Sequence, residues 1–263
     1  MPATLRRLLG DAAAPLVALA VWEGAARSGL VSAYLLPPAS AVALRVVEAA
    51  TSGELLREGG RTLARMLVGY VAAALLGVGL GVLMARVRAV RWFLDPLVSI
   101  GFPAPKISFL PIFILWFGLF DLPKILMTVF ACVFPVIAAT WAATEGVDKY
   151  LIWSARNLGT RGRALLWEVV LPAALPQVFT GLQVALPIAF IVVIVTEMLT
   201  GGGGLGGAMM EGARFADSTR VFANLVMVGL LGFLGMKGLE RLRRRLLVWH
   251  EEVQRGAAMS NEG

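Results

Sequence analysis

Three stretches of this chain carry no charged side chain: Met66–Ala85, of 20 residues, Ile125–Thr144, of 20, and Val169–Thr196, of 28. A helix rises about 1.5 Å per residue and the bilayer's hydrocarbon core is about 30 Å thick, so about 20 apolar residues can cross it. Three weaker runs accompany them: Ala12–Ala26, interrupted by Glu23; Ile107–Phe120, just after Lys106; and Val221–Met236, of 16 residues. The pattern predicts six membrane-spanning helices at approximately 10–27, 62–86, 97–118, 123–143, 173–199 and 219–239. The fold class expected is all-α, one polytopic transmembrane domain over 1–263. The N-terminus is basic and then apolar, as in a secretory signal, but Asp11 and Glu23 interrupt the apolar part and favour an uncleaved first span.

Composition agrees with a membrane protein. Hydrophobic residues make up 58% and charged residues 16%, where soluble domains carry about a quarter charged. Mean hydropathy is +0.78. The net charge of +7 is unevenly placed. With both termini inside, 15 of the 24 Lys and Arg fall on cytoplasmic ends and connections, among them Arg6, Arg7, Arg86, Arg88, Arg91, Lys149, Arg156 and the cluster Arg243, Arg244, Arg245. The positive-inside rule favours that orientation at the inner (plasma) membrane, where anionic lipid is a partner of the basic pieces. Short juxtamembrane pieces of this kind do not make a nucleic-acid surface. A single cysteine, Cys132, excludes an internal disulfide, and with the single histidine, His250, it cannot build a zinc site. No metal site and no catalytic cluster is expected, so the chain reads as a non-enzyme.

Four local features qualify this outline. In the second span Gly69, Ala73, Gly77, Gly81 and Ala85 repeat every four residues, the spacing of a helix-packing stripe in lipid. "FPAPKISFLP", residues 102–111, sets three prolines and Lys106 at the entrance of the third span. Lys106 reads either as an interfacial snorkeller or as a cation facing a wet cavity on the path. Glu197 follows Thr196 at the end of the fifth span and precedes the glycines 201–204 and 206–207. That run lacks the Lys-Ser/Thr of a phosphate loop, so no Walker motif is present. Glu197 reads as capped by the glycine turn or, with Thr196, as part of an outer gate.

The fourth feature is a segment of about 29 residues, 144–172, on the cytoplasmic side. Leu151, Ile152, Ala155 and Leu158 give one short helical pattern; Gly159 breaks it, and Thr160 is placed to cap the next helix. Leu165, Leu166, Val169 and Val170 give a second pattern, which Pro172 ends before Pro176 opens the next span. Between them lies an exposed Gly-Thr-Arg-Gly-Arg corner bearing Arg161 and Arg163. Helix connections usually run 2 to 8 residues, and longer structured ones are commonly functional. The corner suits a groove on another protein.

The residues Asp148, Leu151, Ala155, Leu158 and Gly159, then Val170, Leu171, Pro172, Leu175, Pro176, Gly181 and Leu182, resemble the cytoplasmic loop of permease subunits of binding-protein-dependent ABC importers. "LLPPASAV", "LPIFILWFGL" and "EMLTGGGGLG" are similar to the nitrate/sulfonate/taurine-type branch, and the likeness runs from about residue 30 onward. The family's Glu-Ala-Ala reads Trp153-Ser154-Ala155 here, so the acidic residue is missing. The resemblance implies a type I importer permease whose coupling helix docks into a cleft of an ATPase subunit. It implies ATP and Mg on two such subunits and no cofactor in this chain. A periplasmic or lipid-anchored solute-binding protein and a second permease, a homodimer by default or a heterodimer, complete the expected partners. The solute expected is a small anion such as a sulfonate, taurine, nitrate or bicarbonate, or alternatively a pyrimidine-type vitamin precursor. The rival class is a stand-alone secondary transporter, which usually shows inverted repeats and several mid-membrane ionisable groups; neither stands out.

Overall fold

The computed structural model describes residues 3–249, with side chains from residue 13; Arg6, Arg7, Asp11, His250 and Arg255 therefore fall outside the described side chains. All regular elements among these residues are helical: α1 (Ala3–Arg27), α2 (Ala39–Thr51), α3 (Glu54–Arg86), α4 (Arg88–Gly101), a 3-10 turn (Lys106–Phe109), α5 (Leu110–Phe117), α6 (Asp121–Glu145), α7 (Lys149–Asn157), α8 (Gly162–Ala164), a wide π turn (Leu165–Val170), α9 (Leu171–Thr200), α10 (Leu205–Arg214) and α11 (Ser218–Leu246). Among the described residues, four helical stretches are long and apolar enough to cross a membrane: Glu54–Arg86, Asp121–Glu145, Gly162–Thr200 and Ser218–Leu246. There is a fifth crossing if Arg88–Gly101 and Lys106–Phe117 are one broken span.

Two expectations need correction. The third span is not one straight helix over 97–118; its halves meet at 101°. Pro103 and Pro105 withhold the donors that a continuous helix would need, and each biases the preceding residue away from helical backbone. The helix that carries the fifth span does not begin at 173. One helical stretch of 39 residues runs from Gly162 to Thr200, so Pro172 does not end the preceding helix. Before that proline the helix widens, and Leu171 N–H donates to the Leu166 carbonyl, five residues back. A widened turn makes room for the proline ring where an ordinary turn would break. α1 covers all of 10–27, although among the described residues it is not one of the stretches that qualify as spans.

The chain divides into two compact units, residues 1–62 with 197–230 and residues 63–196 with 231–263. In the second unit α3 and α6 run parallel in a fixed register. A Cβ added at Gly69, Gly77 or Gly81 would meet the Cβ of Thr128, Val136 or Thr140 at 2.7, 2.7 and 2.6 Å, always 59 residues further on. Ala73, between them, is wholly buried and Ala85 is half-buried. Without a hydrophobic drive in lipid, such close approach is what gives two helices their dispersion contacts. Gly181 of α9 sits equally tightly on Ala139. Tyr70 donates its hydroxyl to the Leu182 carbonyl at 2.8 Å. The core of this unit is Met66, Cys132, Val136, Leu186, Phe190 and Val193.

The first unit is held by polar contacts as much as by apolar ones. Glu54 pairs with Arg45 at 2.7 Å and Arg220 at 3.0 Å, and Arg220 also reaches Glu211 at 2.9 Å. Trp22 packs on Phe222 with ring centroids 5.7 Å apart and donates its indole N–H to the Pro37 carbonyl.

Candidate coupling and translocation sites

The segment after α6 forms a compact corner. Asp148 caps α7, its carboxylate accepting from Tyr150 N–H at 2.8 Å. At the other end Gly159, with φ +94°, donates to the Arg156 carbonyl, and Thr160 N–H reaches the Ala155 carbonyl at 3.0 Å. These two bonds and a left-handed glycine are the Schellman termination. Thr160 therefore closes α7 and does not cap the following helix, which starts after Arg161 in extended backbone with no side-chain cap. Ala155 is buried with Val147, Leu165, Val170 and Ala174, which pins the corner to the roots of α6 and α9.

The opposite face is bare. Leu158 is 85% exposed, Tyr150 75%, Trp167 67% and Trp153 54%. Tyr150 and Trp153 stack edge to face at 5.5 Å, so Trp153 makes an aromatic knob. Ser154, Arg156, Gly159, Arg161 and Arg163 are exposed around it. Exposed apolar patches of this kind mark protein or membrane interaction sites.

Glu197 has a different environment from any solvent-facing gate. It is wholly buried, accepting from Thr62 Oγ1 at 2.8 Å and from Gly206 N–H at 3.1 Å. Thr62 in turn accepts from Leu205 N–H at 2.8 Å, and Glu58 accepts from Gly204 N–H at 2.6 Å. Three of the four N-terminal donors of α10 are thereby satisfied by two carboxylates and a hydroxyl, which also suit the positive end of the helix. Gly201 to Gly204 all have positive φ. At Gly204 a Cβ would lie 2.2 Å from Glu197 Oε1, so the glycine is what lets the carboxylate reach the helix end. Glu58, on the turn before the apolar run of α3, is nearly buried. Burial raises its carboxyl, but the Gly204 N–H and the Arg57 and Arg61 guanidiniums outweigh this and hold it below the usual carboxylate range. Thr196 is wholly buried and donates back to the Val193 carbonyl at 2.8 Å.

Lys106 lies in the bend of the broken span. Its ammonium donates to the Phe102 carbonyl and sits 5.7 and 5.9 Å from the rings of Phe102 and Phe134. It borders a cavity of about 320 Å³ lined by Phe102, Pro105, Ile107, Ala131, Pro135, Ile188 and Val192.

Sequence reasoning missed Glu58 and Thr62, whose i, i+4 spacing on α3 was the available signal. Lys124, which the sequence did not single out, is wholly buried in α6.

The class that the fold defines is a polytopic helical membrane protein with a structured corner between two of its long helices. The chain belongs to the family described as binding-protein-dependent transport system inner membrane component, whose model matches residues 77–248. It is 32% identical to the taurine transport system permease protein TauC of Escherichia coli (strain K12), over 90% of this chain and 88% of that protein. It is 31% identical to the putative aliphatic sulfonates transport permease protein SsuC of Bacillus subtilis (strain 168), over 91% and 87%. The backbone resembles the inward-facing methionine ABC transporter MetNI at a TM-score of 0.63 and 20% identity, covering 73% of this chain and 95% of that one. The chain is thus a multi-pass ABC importer permease of type I fold, and such a permease works with an ATPase and a solute-binding protein.

Proposed function

We propose that two copies of this chain form the membrane path of an importer for a small anion of the sulfonate class. Both termini and the 144–172 segment lie on the cytoplasmic side, and lipid surrounds the spans. ATP and Mg are bound by two ATPase subunits, whose closure pushes on α7 and the corner after it. The observation that carries this reading is the Tyr150–Trp153–Leu158 face, exposed in a basic rim and anchored by Ala155. In place of a glutamate, Trp153 gives the contact an apolar anchor. The solute class rests on the likeness to the taurine and aliphatic-sulfonate permeases.

The test is a thermal-shift panel on the solute-binding protein that associates with this permease, using taurine, alkanesulfonates, nitrate, bicarbonate and a hydroxymethylpyrimidine. A ligand at a hundred times its Kd stabilises the folded protein by about 2.7 kcal/mol. Stabilisation by a sulfonate is expected; stabilisation by the pyrimidine alone would overturn the solute class.

A further inference from the structure

We propose that the cavity beside Lys106 is a binding subsite for a small amphiphilic anion. Its charged head sits on the Lys106 ammonium, and its apolar body lies among Pro105, Ala131, Pro135, Ile188 and Val192. The proposal rests on the permease reading and names where on the chain, and by what chemistry, a solute is held.

The broken span points to the place. Irregular backbone at membrane depth is tolerated only where protein buries it or a cavity solvates it, and residues 102–105 interrupt the helix at this cavity. A volume of about 320 Å³ falls at the lower end of the range for small-molecule sites, about 300–1,000 Å³.

Lys106 supplies the charge. An ammonium has three donors, and here one goes to the Phe102 carbonyl. Two ring faces lie under the charge, and among the described residues no carboxylate pairs with it. A carbonyl and two rings leave part of the ammonium's donor capacity unspent, and an anion would complete the site.

The rest of the lining selects the kind of anion. Apart from Lys106, its side chains are hydrocarbon or aromatic. A strongly hydrated inorganic ion would give up its water for one lysine. An anion with a hydrocarbon body gains from the remaining walls, by roughly fourfold in affinity for each methylene buried. The same chemistry belongs to an alkanesulfonate solute and to an anionic lipid.

The experiment uses the full chain in complex with its ATPase subunit, in nanodiscs of neutral lipid. Ethane-, propane-, butane- and pentanesulfonate and inorganic sulfate are titrated by calorimetry. Affinity should rise roughly fourfold per methylene, and pentanesulfonate should exceed sulfate by at least about tenfold, the weight of two such steps. Lys106→Met should lower pentanesulfonate affinity by at least about tenfold, as for loss of the one charge-assisted bond. Lys106→Arg should keep most of it, and Ile188→Trp, which fills the cavity, should flatten the chain-length series.

Repeating the titration with phosphatidylglycerol in the disc separates the two sources. Competition that depends on Lys106 assigns the head to lipid; its absence assigns it to solute, and either supports the subsite. Equal binding of sulfate and pentanesulfonate, or binding unchanged in Lys106→Met, overturns it. Stimulation of ATP hydrolysis by the solute-binding protein is read in the same discs. Stimulation without alkanesulfonate binding removes the subsite and leaves the importer reading standing, whereas loss of stimulation in the unmodified complex counts against the importer reading itself.

Discussion

Gly204→Ala is the substitution whose cost the structure specifies most closely. Gly204 has φ +92° and ψ 166°, backbone that only glycine adopts readily and that costs another residue about 1–3 kcal/mol. Its new methyl would also lie 2.2 Å from Glu197 Oε1 and 2.5 Å from Oε2. The carboxylate must then move away from Thr62 Oγ1 and Gly206 N–H, now at 2.8 and 3.1 Å. A hydrogen bond to a charged group contributes about 1.5–3 kcal/mol net. Strain plus one such bond sums to about 2.5–6 kcal/mol. Gly201→Ala is the internal control: φ is +68° there too, but a Cβ meets nothing within 4 Å, so only the backbone cost of about 1–2 kcal/mol applies.

The assay is reversible unfolding in mixed micelles, followed by circular dichroism, for both variants and for Glu197→Ala alone and combined with Gly204→Ala. Gly204→Ala should be the less stable by at least about 2 kcal/mol, the weight of one charge-assisted bond. With Glu197 already truncated, the added cost of Gly204→Ala should shrink toward that of Gly201→Ala, a coupling that the double-mutant cycle isolates. Equal destabilisation by Gly201→Ala and Gly204→Ala, or additivity with Glu197→Ala, would refute the idea that the glycine exists to admit the carboxylate.

Gly159→Pro removes the N–H that closes α7 and cannot adopt φ +94°; with the helical content unchanged, solute-stimulated ATP hydrolysis in vesicles should be lost, as it should with Arg161→Trp or Arg163→Trp. Gly77→Leu forces a side chain onto Val136, whose atoms lie 2.7 Å from the added Cβ, and should cost about 1–3 kcal/mol or more by overpacking, measured by the same unfolding titration. Glu58 is held below its ordinary pKa, so it contributes stability that is fully present above the unfolded value of about 4.3 and is lost as pH falls through the lower folded value. An acid titration of stability should therefore show a steeper loss below about pH 4.3 for the wild type than for Glu58→Gln.

The charge-free runs made the long helices legible, because length and hydropathy alone decide whether a helix can span. The bend at 101° was less legible. Three prolines mark a disturbance, yet they do not say whether the chain resumes along its axis or turns. The 39-residue stretch misled for the opposite reason: Pro172 reads as a terminator, and only the i→i−5 bond at Leu171 shows how the helix absorbs it. Thr160 has the chemistry of a cap, but its backbone N–H is spent on Ala155. The small-residue stripe was visible from spacing, although its partner helix and the 59-residue register were not. Glu197 stood out in the sequence; Glu58 and Thr62 did not, because their role depends on a helix end more than 140 residues further on.

Central to this picture is that the chain moves solute only when a separate ATPase drives it through the exposed corner after α6. The direct measurement is uptake of labelled solute into proteoliposomes, comparing this chain alone under proton and sodium gradients with the chain plus its ATPase and solute-binding protein under ATP. Uptake only in the complete, ATP-supplied vesicles is the predicted result, and it should vanish with Gly159→Pro. Uptake by the chain alone under an ion gradient would contradict that picture and place the protein among secondary transporters.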